Sequence, residues 1–364
     1  MKGKAAVFKG SGIPFEIREF PLPEVKPRAI LVRVTRANIC GSDLHQWKGG
    51  GSRTLDRPVI TGHEMVGKVY ELGEGVTTDS AGQPLKVGDR ITYSYFAPCG
   101  HCYQCTHGQP HACPNSMIHR VLNIDEWPHF VGAFAEYYYV FPGNYVFKVP
   151  DEVTDEMAAP ANCATSQVLY GLHRAGVMPG DSVVVQGAGG LGINATAIAR
   201  EMGAATIIVI DQYPDRIELA KAFGADHIID MNQYPTPRDR VRQVRQLTGG
   251  RGADVVAELT GIPEVVREGI GMVRAGGKYL WIGNINLGKT LEFDPSGIVL
   301  GNRTIIGIGI YEPWALYRAL DLLKRTRNKY PFDRILSHTF KLEDINTAFE
   351  MAAQRKVTRA SIAP

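Results

Sequence analysis

Hydrophobic residues follow two different spacings along this chain of 364 residues. Up to about position 157, short apolar runs of strand length alternate with turns rich in glycine and proline. These runs lie at residues 1–8, 30–34, 65–70, 90–93 and 136–140. Short strands separated by turn residues predict an irregular β-barrel or sandwich.

From position 181 onward, apolar runs of strand length alternate with helical patterns. The predicted strands lie at residues 182–186, 206–211, 227–229, 254–259 and 278–282. Pro214 suits the first position of a helix, whereas Gly203 and Gly224 suit the left-handed residue that ends one. This alternation predicts parallel strands joined by right-handed crossovers. A strand at 304–309, a helix from Pro313 and a terminal strand follow.

The length of the chain also favours two domains, because one hydrophobic core seldom serves so many residues. We expect an α/β protein with a first domain over residues 1–160, completed by about 303–364, and a second over 161–302. Composition is that of an ordinary globular enzyme, with 44% hydrophobic and 21% charged residues.

The formal net charge of +3 is too small to suggest nucleic acid or an anionic membrane as the main partner. The most basic stretch, residues 238–245, has its charges at helical intervals and is interpreted as a solvated helix face. No apolar run has the length that a membrane span needs, and the first residues lack the apolar core of a signal peptide. The cytoplasm is the expected compartment.

Four of the six cysteines fall within fifteen residues, in the order C-x2-C-x2-C-x7-C: Cys99, Cys102, Cys105 and Cys113. Closely spaced thiolates on a tight loop can complete a tetrahedral shell around Zn²⁺. Four cysteines fill every position of that shell, so the pattern indicates a structural zinc site. Two disulfides are the alternative, and the absence of a secretory signal makes them the weaker one.

A glycine-rich turn follows the strand at 182–186 and opens a helix: Gly187, Ala188, Gly189, Gly190, Leu191 and Gly192. In this context the G-x-G-x-x-G pattern predicts that the helix N-terminus binds a pyrophosphate. Asp211 ends the next strand nineteen residues after Gly192, where its carboxylate can accept hydrogen bonds from a ribose and repel a 2′-phosphate. The pattern therefore favours NAD over NADP. Arg216 lies close in sequence, and a plain glycine-rich turn is the alternative.

Cys40, His63 and Cys163 are candidates for a second metal site. Two thiolates and one imidazole leave a fourth position open, as a catalytic zinc requires. The three residues are far apart in sequence, so spacing alone does not select them. Taken singly, each is better interpreted as a buried free cysteine or a histidine of the core.

The cysteine loop, the segment Cys40-Gly-Ser-Asp-Leu-His45, the triplet Gly62-His-Glu64 and the glycine-rich turn occur in a set order. Together they resemble the zinc-dependent alcohol dehydrogenases of the medium-chain dehydrogenase/reductase superfamily, over essentially the whole chain. The resemblance implies a GroES-like catalytic domain, a Rossmann cofactor domain and two zinc ions per subunit. It also implies a homodimer or homotetramer. With NAD as the cofactor that Asp211 favours, the expected substrate is a small alcohol or carbonyl compound.

The same resemblance implies roles for individual residues. Cys40, His63 and Cys163 match the ligands of the catalytic zinc. The matches near that zinc are Glu64 as the acid beside the metal, Asp43 as the acid that orients His63, Ser42 as the hydroxyl on the substrate oxygen, and His45 as the outer end of the proton relay. The matches to the cofactor site are Arg359 at the pyrophosphate and Gln167 near the nicotinamide amide. Gly41 stands where some members have an arginine, so that pyrophosphate contact is absent here.

The substrate is less well defined by the sequence. Ser42 in place of a bulkier threonine favours secondary alcohols, and the aromatic residues at 95–96, 127–130 and 134 suit an apolar or cyclic one if they line the pocket rather than the core. A polyol or amino-alcohol dehydrogenase, a zinc-free reductase and a non-catalytic NAD-binding relative are the alternatives. The apolar strand at 303–309 suits either a buried core position or a dimer edge.

Overall fold

The computed structural model describes residues 1–50, 57–283 and 288–364, and the chain divides into two compact units. The first comprises Met1–Ser166 with Glu312–Pro364, and the second comprises Gln167–Tyr311. The strands are β1 Lys2–Phe8, β2 Glu16–Pro21, β3 Ile30–Asn38, β4 Val59–Ile60, β5 Glu64–Leu72, β6 Arg90–Tyr93, β7 Tyr137–Val140, β8 Val146–Lys148, β9 Ser182–Gln186, β10 Thr206–Asp211, β11 His227–Asp230, β12 Ala253–Glu258, β13 Val273–Trp281, β14 Thr304–Gly307, β15 His338–Lys341 and β16 Ala360–Ala363.

The α-helices are α1 Gly41–Trp47, α2 Tyr103–Thr106, α3 Asp155–Ala158, α4 Ser166–Ala175, α5 Gly190–Glu201, α6 Pro214–Ala222, α7 Pro237–Leu247, α8 Val265–Met272, α9 Ser296–Leu300, α10 Trp314–Thr326 and α11 Ile345–Ala353. Short 3-10 turns occur at Pro110–Ala112, Ile118–Val121, Phe332–Ile335 and Leu342–Asp344, and a π-helical turn occurs at Ala161–Thr165.

The first unit is built on a sheet in the order β15-β16-β3-β5-β6-β8, with β7 also paired to β3. All of these pairs are antiparallel except β15 with β16. A smaller sheet in the order β2-β1-β4 packs beside it through a core that includes Val7, Leu31, Phe130 and Tyr139. The antiparallel, aromatic-rich sheet agrees with the predicted β-barrel or sandwich.

The second unit is a parallel sheet in the order β11-β10-β9-β12-β13-β14, with helices in its crossovers. Numbered within the unit, this order is 3-2-1-4-5-6, the doubly wound order of dinucleotide-binding domains. The residues of β9 are all buried, which explains their continuous apolar run. Gly203 and Gly224 follow α5 and α6 with φ of 97° and 96°, as expected of residues that end helices. The predicted fold class is confirmed.

The units divide a few residues later in the chain than the boundaries set from the sequence, at 166/167 and 311/312 instead of 160/161 and 302/303. The second difference arises because β14 pairs in register with β13 and so extends the parallel sheet. Within the described part of the chain β14 is an edge strand, and three of its four residues are exposed. It is therefore not the buried core strand that was one of the two interpretations.

The basic stretch at 238–245 does form a helix, α7, but it is not solvated throughout. Arg240 is buried and its guanidinium pairs with the equally buried carboxylate of Glu268 at 2.6 Å. Nη1 of Arg240 donates to the carbonyls of Tyr234 and Pro235. Helical periodicity alone could not show this partner, because Glu268 lies on α8. Within the described ranges, no helix is long and apolar enough to cross a membrane.

Candidate functional site

The four cysteines of the loop converge in the structure. Their sulfur atoms all lie within 4.8 Å of one another, and Cys113 Sγ lies 3.6 Å from that of Cys99 and 3.7 Å from that of Cys102. Zn–S bonds of about 2.3 Å give tetrahedron edges of roughly 3.8 Å, so the sulfurs fit a zinc ion. The thiols are free and too far apart for S–S bonds, which contradicts the disulfide alternative.

The protonation of this loop shows why it suits a cation. A hydrogen bond from the His101 backbone, followed by one from Asn115, lowers the pKa of the Cys99 thiol to about 5. Burial and the neighbouring Cys102 raise the pKa of Cys105 to about 12. It is therefore unfavourable for adjacent thiols to ionise together, because the thiolates repel one another. A divalent cation offsets this repulsion, since cysteines bind it as thiolates.

The second cluster joins three distant segments of the first unit. Cys40 is the N-cap of α1, His63 immediately precedes β5, and Cys163 lies in the π-helical turn. One ligand atom from each, together with a carboxylate oxygen of Glu64, lies within 4.8 Å of all the others. Two sulfurs and one imidazole match the donor set of a catalytic zinc site. The structure thus brings together the residues that the sequence could connect only by resemblance.

Asp43 connects two of these candidate ligands. One carboxylate oxygen accepts a hydrogen bond from the Cys40 backbone N–H at 2.9 Å, and the other lies 3.2 Å from Nδ1 of His63. Since Nδ1 faces Asp43, Nε2 is the imidazole nitrogen left to face a metal. Such a carboxylate fixes the orientation of a ligand histidine and increases its basicity.

The two thiols and the imidazole of this cluster shift one another's pKa values. A hydrogen bond from Cys163 holds the pKa of the Cys40 thiol well below its usual range, and the same bond raises the pKa of Cys163. Burial lowers the pKa of His63, but the charges of Asp43 and Cys40 outweigh it and raise the pKa to about 10. The protein alone thus favours a thiolate–imidazolium pair, and a bound cation would take the place of these protons.

Glu64 and Arg359 form a buried ion pair beside the cluster. Burial raises the pKa of the Glu64 carboxyl to about 7 even though Arg359 opposes the shift. Glu64 Oε1 is buried and makes no hydrogen bond with the described residues, and this free oxygen fits an acid adjacent to a metal. The structure places the Arg359 guanidinium on Glu64, and a role at the cofactor pyrophosphate stays a prediction.

Ser42 and His45 lie on α1, three residues apart and thus on one helix face. Ser42 Oγ is 3.5 Å from His63 Nε2, the nitrogen that would face a metal. His45 is half-buried, and burial, followed by the charge of Lys48, lowers the pKa of its imidazole. His45 is therefore neutral near pH 7 and able to accept a proton.

The glycine-rich turn of the second unit is closely packed at Gly192 and open at Gly189. A Cβ on Gly192 would lie 1.8 Å from the Gly187 carbonyl oxygen, and Gly187 itself has φ of 93°. By contrast, the nearest atom to a Cβ on Gly189 would be Arg216 Nη1 at 4.0 Å, so that side of the turn is open. The N-terminus of α5, with Gly190 and Leu191 in its first turn, follows directly.

The carboxylate of Asp211 is held by backbone groups around this turn. It accepts hydrogen bonds from the N–H groups of Ala188, Gln212 and Tyr213 at 2.7, 2.7 and 3.0 Å. These bonds fix a negative charge at the carboxyl end of β10, where a ribose is bound in this fold. The guanidinium of Arg216 lies over the Tyr213 ring at 5.1 Å and leaves that charge in place.

The side chain of Gln167 is already engaged inside the second unit. Its Nε2 donates to the carbonyls of Ile308 and Gly309 at 3.3 and 3.2 Å. Its amide oxygen is the group that remains for a nicotinamide contact, and this role stays a prediction.

Comparisons with known proteins agree with this geometry. Residues 26–151 match the alcohol dehydrogenase GroES-like domain, and residues 190–325 match the zinc-binding dehydrogenase family. The chain is 33% identical over 337 residues to 5-exo-hydroxycamphor dehydrogenase of Pseudomonas putida, covering 92% of both chains. It is 33% identical to L-threonine 3-dehydrogenase of Pyrococcus horikoshii, covering 93% of this chain and 92% of that one. An alcohol dehydrogenase of Thermotoga maritima superposes with a TM-score of 0.92 at 29% identity, with both chains fully covered.

The chain belongs to the zinc-dependent alcohol dehydrogenases of the medium-chain superfamily. It is an enzyme of that family, with zinc and a nicotinamide cofactor. The resemblance drawn from the sequence is thereby confirmed.

Some aromatic residues of this dehydrogenase pack in the core, and one contacts the candidate metal ligand His63. Phe130 and Phe134 are fully buried, Phe130 within the core of the first unit, whereas Trp127 stays 37% exposed. Tyr95 is different, because its ring makes an edge contact with the His63 ring at 5.2 Å between centroids. Core packing therefore explains the first two, and Tyr95 belongs to the site.

Two further residues near Cys40, His63 and Cys163 were not identified from the sequence. Arg120, from the turn after the cysteine loop, places its guanidinium over the Tyr95 ring at 5.8 Å. Asn162 precedes Cys163 and its side chain bonds to the His63 carbonyl. The position of Asn162 next to the candidate ligand Cys163 was the one sequence signal that could have indicated it. No sequence signal indicated Arg120.

Substitution of Cys105 tests the loop site separately from the other cluster. Cys105→Ser removes one of four thiolates, so we expect the purified protein to lose one of its two zinc ions. Because structural zinc contributes to folding, the temperature of thermal unfolding should fall as well. Metal analysis and calorimetry measure both. Retention of two zinc ions at wild-type stability would contradict the assignment.

Proposed function

We propose that this enzyme oxidises a secondary alcohol, apolar or cyclic, with NAD as hydride acceptor, or reduces the corresponding ketone. The observation that carries the proposal is the cluster of Cys40, His63 and Cys163, with the Ser42 hydroxyl 3.5 Å from the metal-facing nitrogen of His63. Three protein ligands with a hydroxyl beside them suit an alcohol oxygen that must lose a proton.

The residues of the first unit have complementary tasks in this reaction. When bound, zinc supplies Lewis-acid polarisation of the alcohol oxygen, and the nicotinamide takes up the hydride. Ser42 would take the alcohol proton as it gives up its own hydroxyl proton, and neutral His45 on the same face of α1 would accept a proton from this relay and pass one to solvent. Asp43 keeps His63 oriented during this transfer.

Both the cofactor and the alcohol class have separate support. The fixed carboxylate of Asp211 favours a ribose with free hydroxyls and disfavours a 2′-phosphate, so NAD is preferred to NADP. The small side chain of Ser42 leaves room beside the cluster for a branched carbinol carbon. The similarity to a dehydrogenase of 5-exo-hydroxycamphor, which is a cyclic secondary alcohol, points the same way.

We also propose the setting in which the enzyme works. Met1–Ser166 with Glu312–Pro364 is the catalytic domain, and Gln167–Tyr311 is the cofactor domain. Six free thiols, all of them candidate metal ligands, are suited to the reducing cytoplasm. The exposed edge of β14 favours a homodimer or a homotetramer, because an unpaired strand edge is readily covered by another copy.

An alcohol panel tests the proposal on the full-length protein loaded with zinc. We expect NAD-linked oxidation of cyclohexanol with a kcat/KM at least about tenfold above that of ethanol, and a preference for NAD over NADP. Absorbance of the reduced nicotinamide measures both rates, and metal analysis establishes two zinc ions per chain. If protein with both zinc ions oxidises no alcohol and reduces no ketone, the proposed function is wrong.

His45 gives the reaction a distinctive dependence on pH. Its pKa lies below the usual value, so wild-type activity should fall only when the pH drops low enough to protonate it. His45→Gln should lower kcat about 10- to 100-fold at pH 7, and much less at pH 10, where hydroxide can take the proton. A pH–rate profile of both proteins measures this difference. Equal losses at the two pH values would exclude His45 from the proton path.

Arg120 favours a second candidate, an amino-alcohol or hydroxy-acid dehydrogenase. Arg120 is half-buried, its guanidinium lies over the Tyr95 ring, and no hydrogen bond or ion pair to it is found among the described residues. Tyr95 in turn touches His63, so a cation stands one aromatic ring away from a metal ligand. An anionic group on the substrate would give this cation a partner, as would suit the carboxylate of threonine, the substrate of a similar dehydrogenase.

A pair of substrates distinguishes the candidates. If Arg120 binds a carboxylate, Arg120→Met should raise KM for L-threonine or 3-hydroxybutyrate by about 10- to 100-fold, the value of one charge-assisted hydrogen bond. KM for cyclohexanol should change by less than about twofold, and Arg120→Lys should be intermediate. Steady-state kinetics of the three proteins measure these values. Parallel changes for charged and neutral substrates would show that Arg120 only packs on Tyr95.

A further inference from the structure

Asn162 stands beside the candidate ligand Cys163 in the π-helical turn, and its side chain is 0% exposed. A buried amide must find partners for two N–H groups and one carbonyl oxygen, or it destabilises the fold. Its hydrogen-bond partners lie on or next to segments that carry the other candidate metal ligands.

The amide connects three stretches of chain. Nδ2 donates to the His63 carbonyl at 3.0 Å and to the Tyr93 carbonyl at 2.9 Å, and Oδ1 accepts from the Met65 N–H at 3.4 Å. Two acceptors around the nitrogen and a donor at the oxygen fix which way the amide points. One side chain therefore joins the Cys163 turn to the residue that supplies the imidazole and to the adjacent ends of β5 and β6.

We propose that Asn162 is the positioning residue that sets the separation of Cys163 from His63, and with it the affinity of the catalytic metal site. This inference rests on the proposed zinc site but concerns a residue outside the ligand set. The π-helical turn does not have the regular bonding of an α-helix, so its register depends on side chains that anchor it. The Ser166 hydroxyl, bonded to the Ala161 carbonyl, anchors the turn internally, while Asn162 anchors it to the sheet.

Asn162 complements Asp43. The carboxylate of Asp43 joins Cys40 to the imidazole of His63, and the amide of Asn162 joins the turn of Cys163 to the backbone of the same residue. Together they hold both sulfurs relative to one histidine. Loss of outer-shell partners of this kind typically weakens metal binding about 10- to 100-fold.

The test compares Asn162→Ala with Thr92→Val in the full-length protein. Thr92 is a matched control, because it is also fully buried and its hydroxyl donates to the Met65 carbonyl at 3.1 Å, yet it bonds to no candidate ligand. Zinc affinity is measured by competition with a chromophoric chelator, and the geometry of the site by the visible absorption of the Co²⁺-substituted proteins. Calorimetry gives the thermal stability of each variant.

For Asn162→Ala we expect one tightly held zinc ion per chain, from the cysteine loop, and a second bound about 10- to 100-fold more weakly than in the wild type. Its Co²⁺ spectrum should change in the bands of the site that contains the histidine. Thr92→Val should keep both affinities at a similar loss of thermal stability. Asn162→Ser, which retains one donor, should recover part of the affinity.

Several results would overturn the inference. They are an unchanged second affinity and Co²⁺ spectrum in Asn162→Ala, an equal loss of affinity in Thr92→Val, or failure of both Asn162 variants to fold with zinc in excess. The last result would assign the residue to folding itself. A wild type that binds one zinc ion only would instead refute the proposed function, so the two failures are distinguishable.

Discussion

The arrangement of the first unit depends on the proximity of the Cys40 and Cys163 sulfurs to the His63 imidazole. Without a cation these groups compete for protons, because the hydrogen bond between the two thiols lowers the pKa of Cys40 and raises that of Cys163. Ionising both thiols side by side is unfavourable in a buried place, and a divalent cation turns that repulsion into attraction. The chain must therefore hold the three donors in position by other means, which Asp43 and Asn162 provide through bonds to separate parts of His63.

Two buried ion pairs of the molecule differ in their relation to the candidate metal ligands. Arg240 and Glu268 pair inside the second unit between α7 and α8, and neither cluster of candidate metal ligands found in the described residues includes Glu268. The pair of Glu64 and Arg359 lies against the metal cluster, and burial brings the pKa of Glu64 to about 7. A carboxyl group with such a pKa changes its charge at little cost, which suits a residue beside a metal whose coordination changes during a reaction.

The cofactor turn is preorganised by sterics rather than by charge. Gly192 allows α5 to approach β9, and Gly187 adopts a left-handed conformation that a side chain would strain. Three backbone N–H groups orient the carboxylate of Asp211, the residue proposed to bind the ribose. If the cofactor binds here as proposed, this preorganisation reduces the free energy that ordering the site would cost.

The sequence by itself determined what is local. Periodicity predicted the parallel strands β9 to β13, glycine and proline marked the ends of their helices, and cysteine spacing indicated the loop site, because each of these signals arises within a few residues of chain. It could not determine that Arg240 is buried, that β14 extends the parallel sheet, or that Phe130 belongs to the core while Tyr95 touches His63. These depend on which segments pack together. Likewise Cys40, His63 and Cys163 are spread over 123 positions of the sequence, and only the folded sheet and the π-helical turn bring their ligand atoms within 4.8 Å.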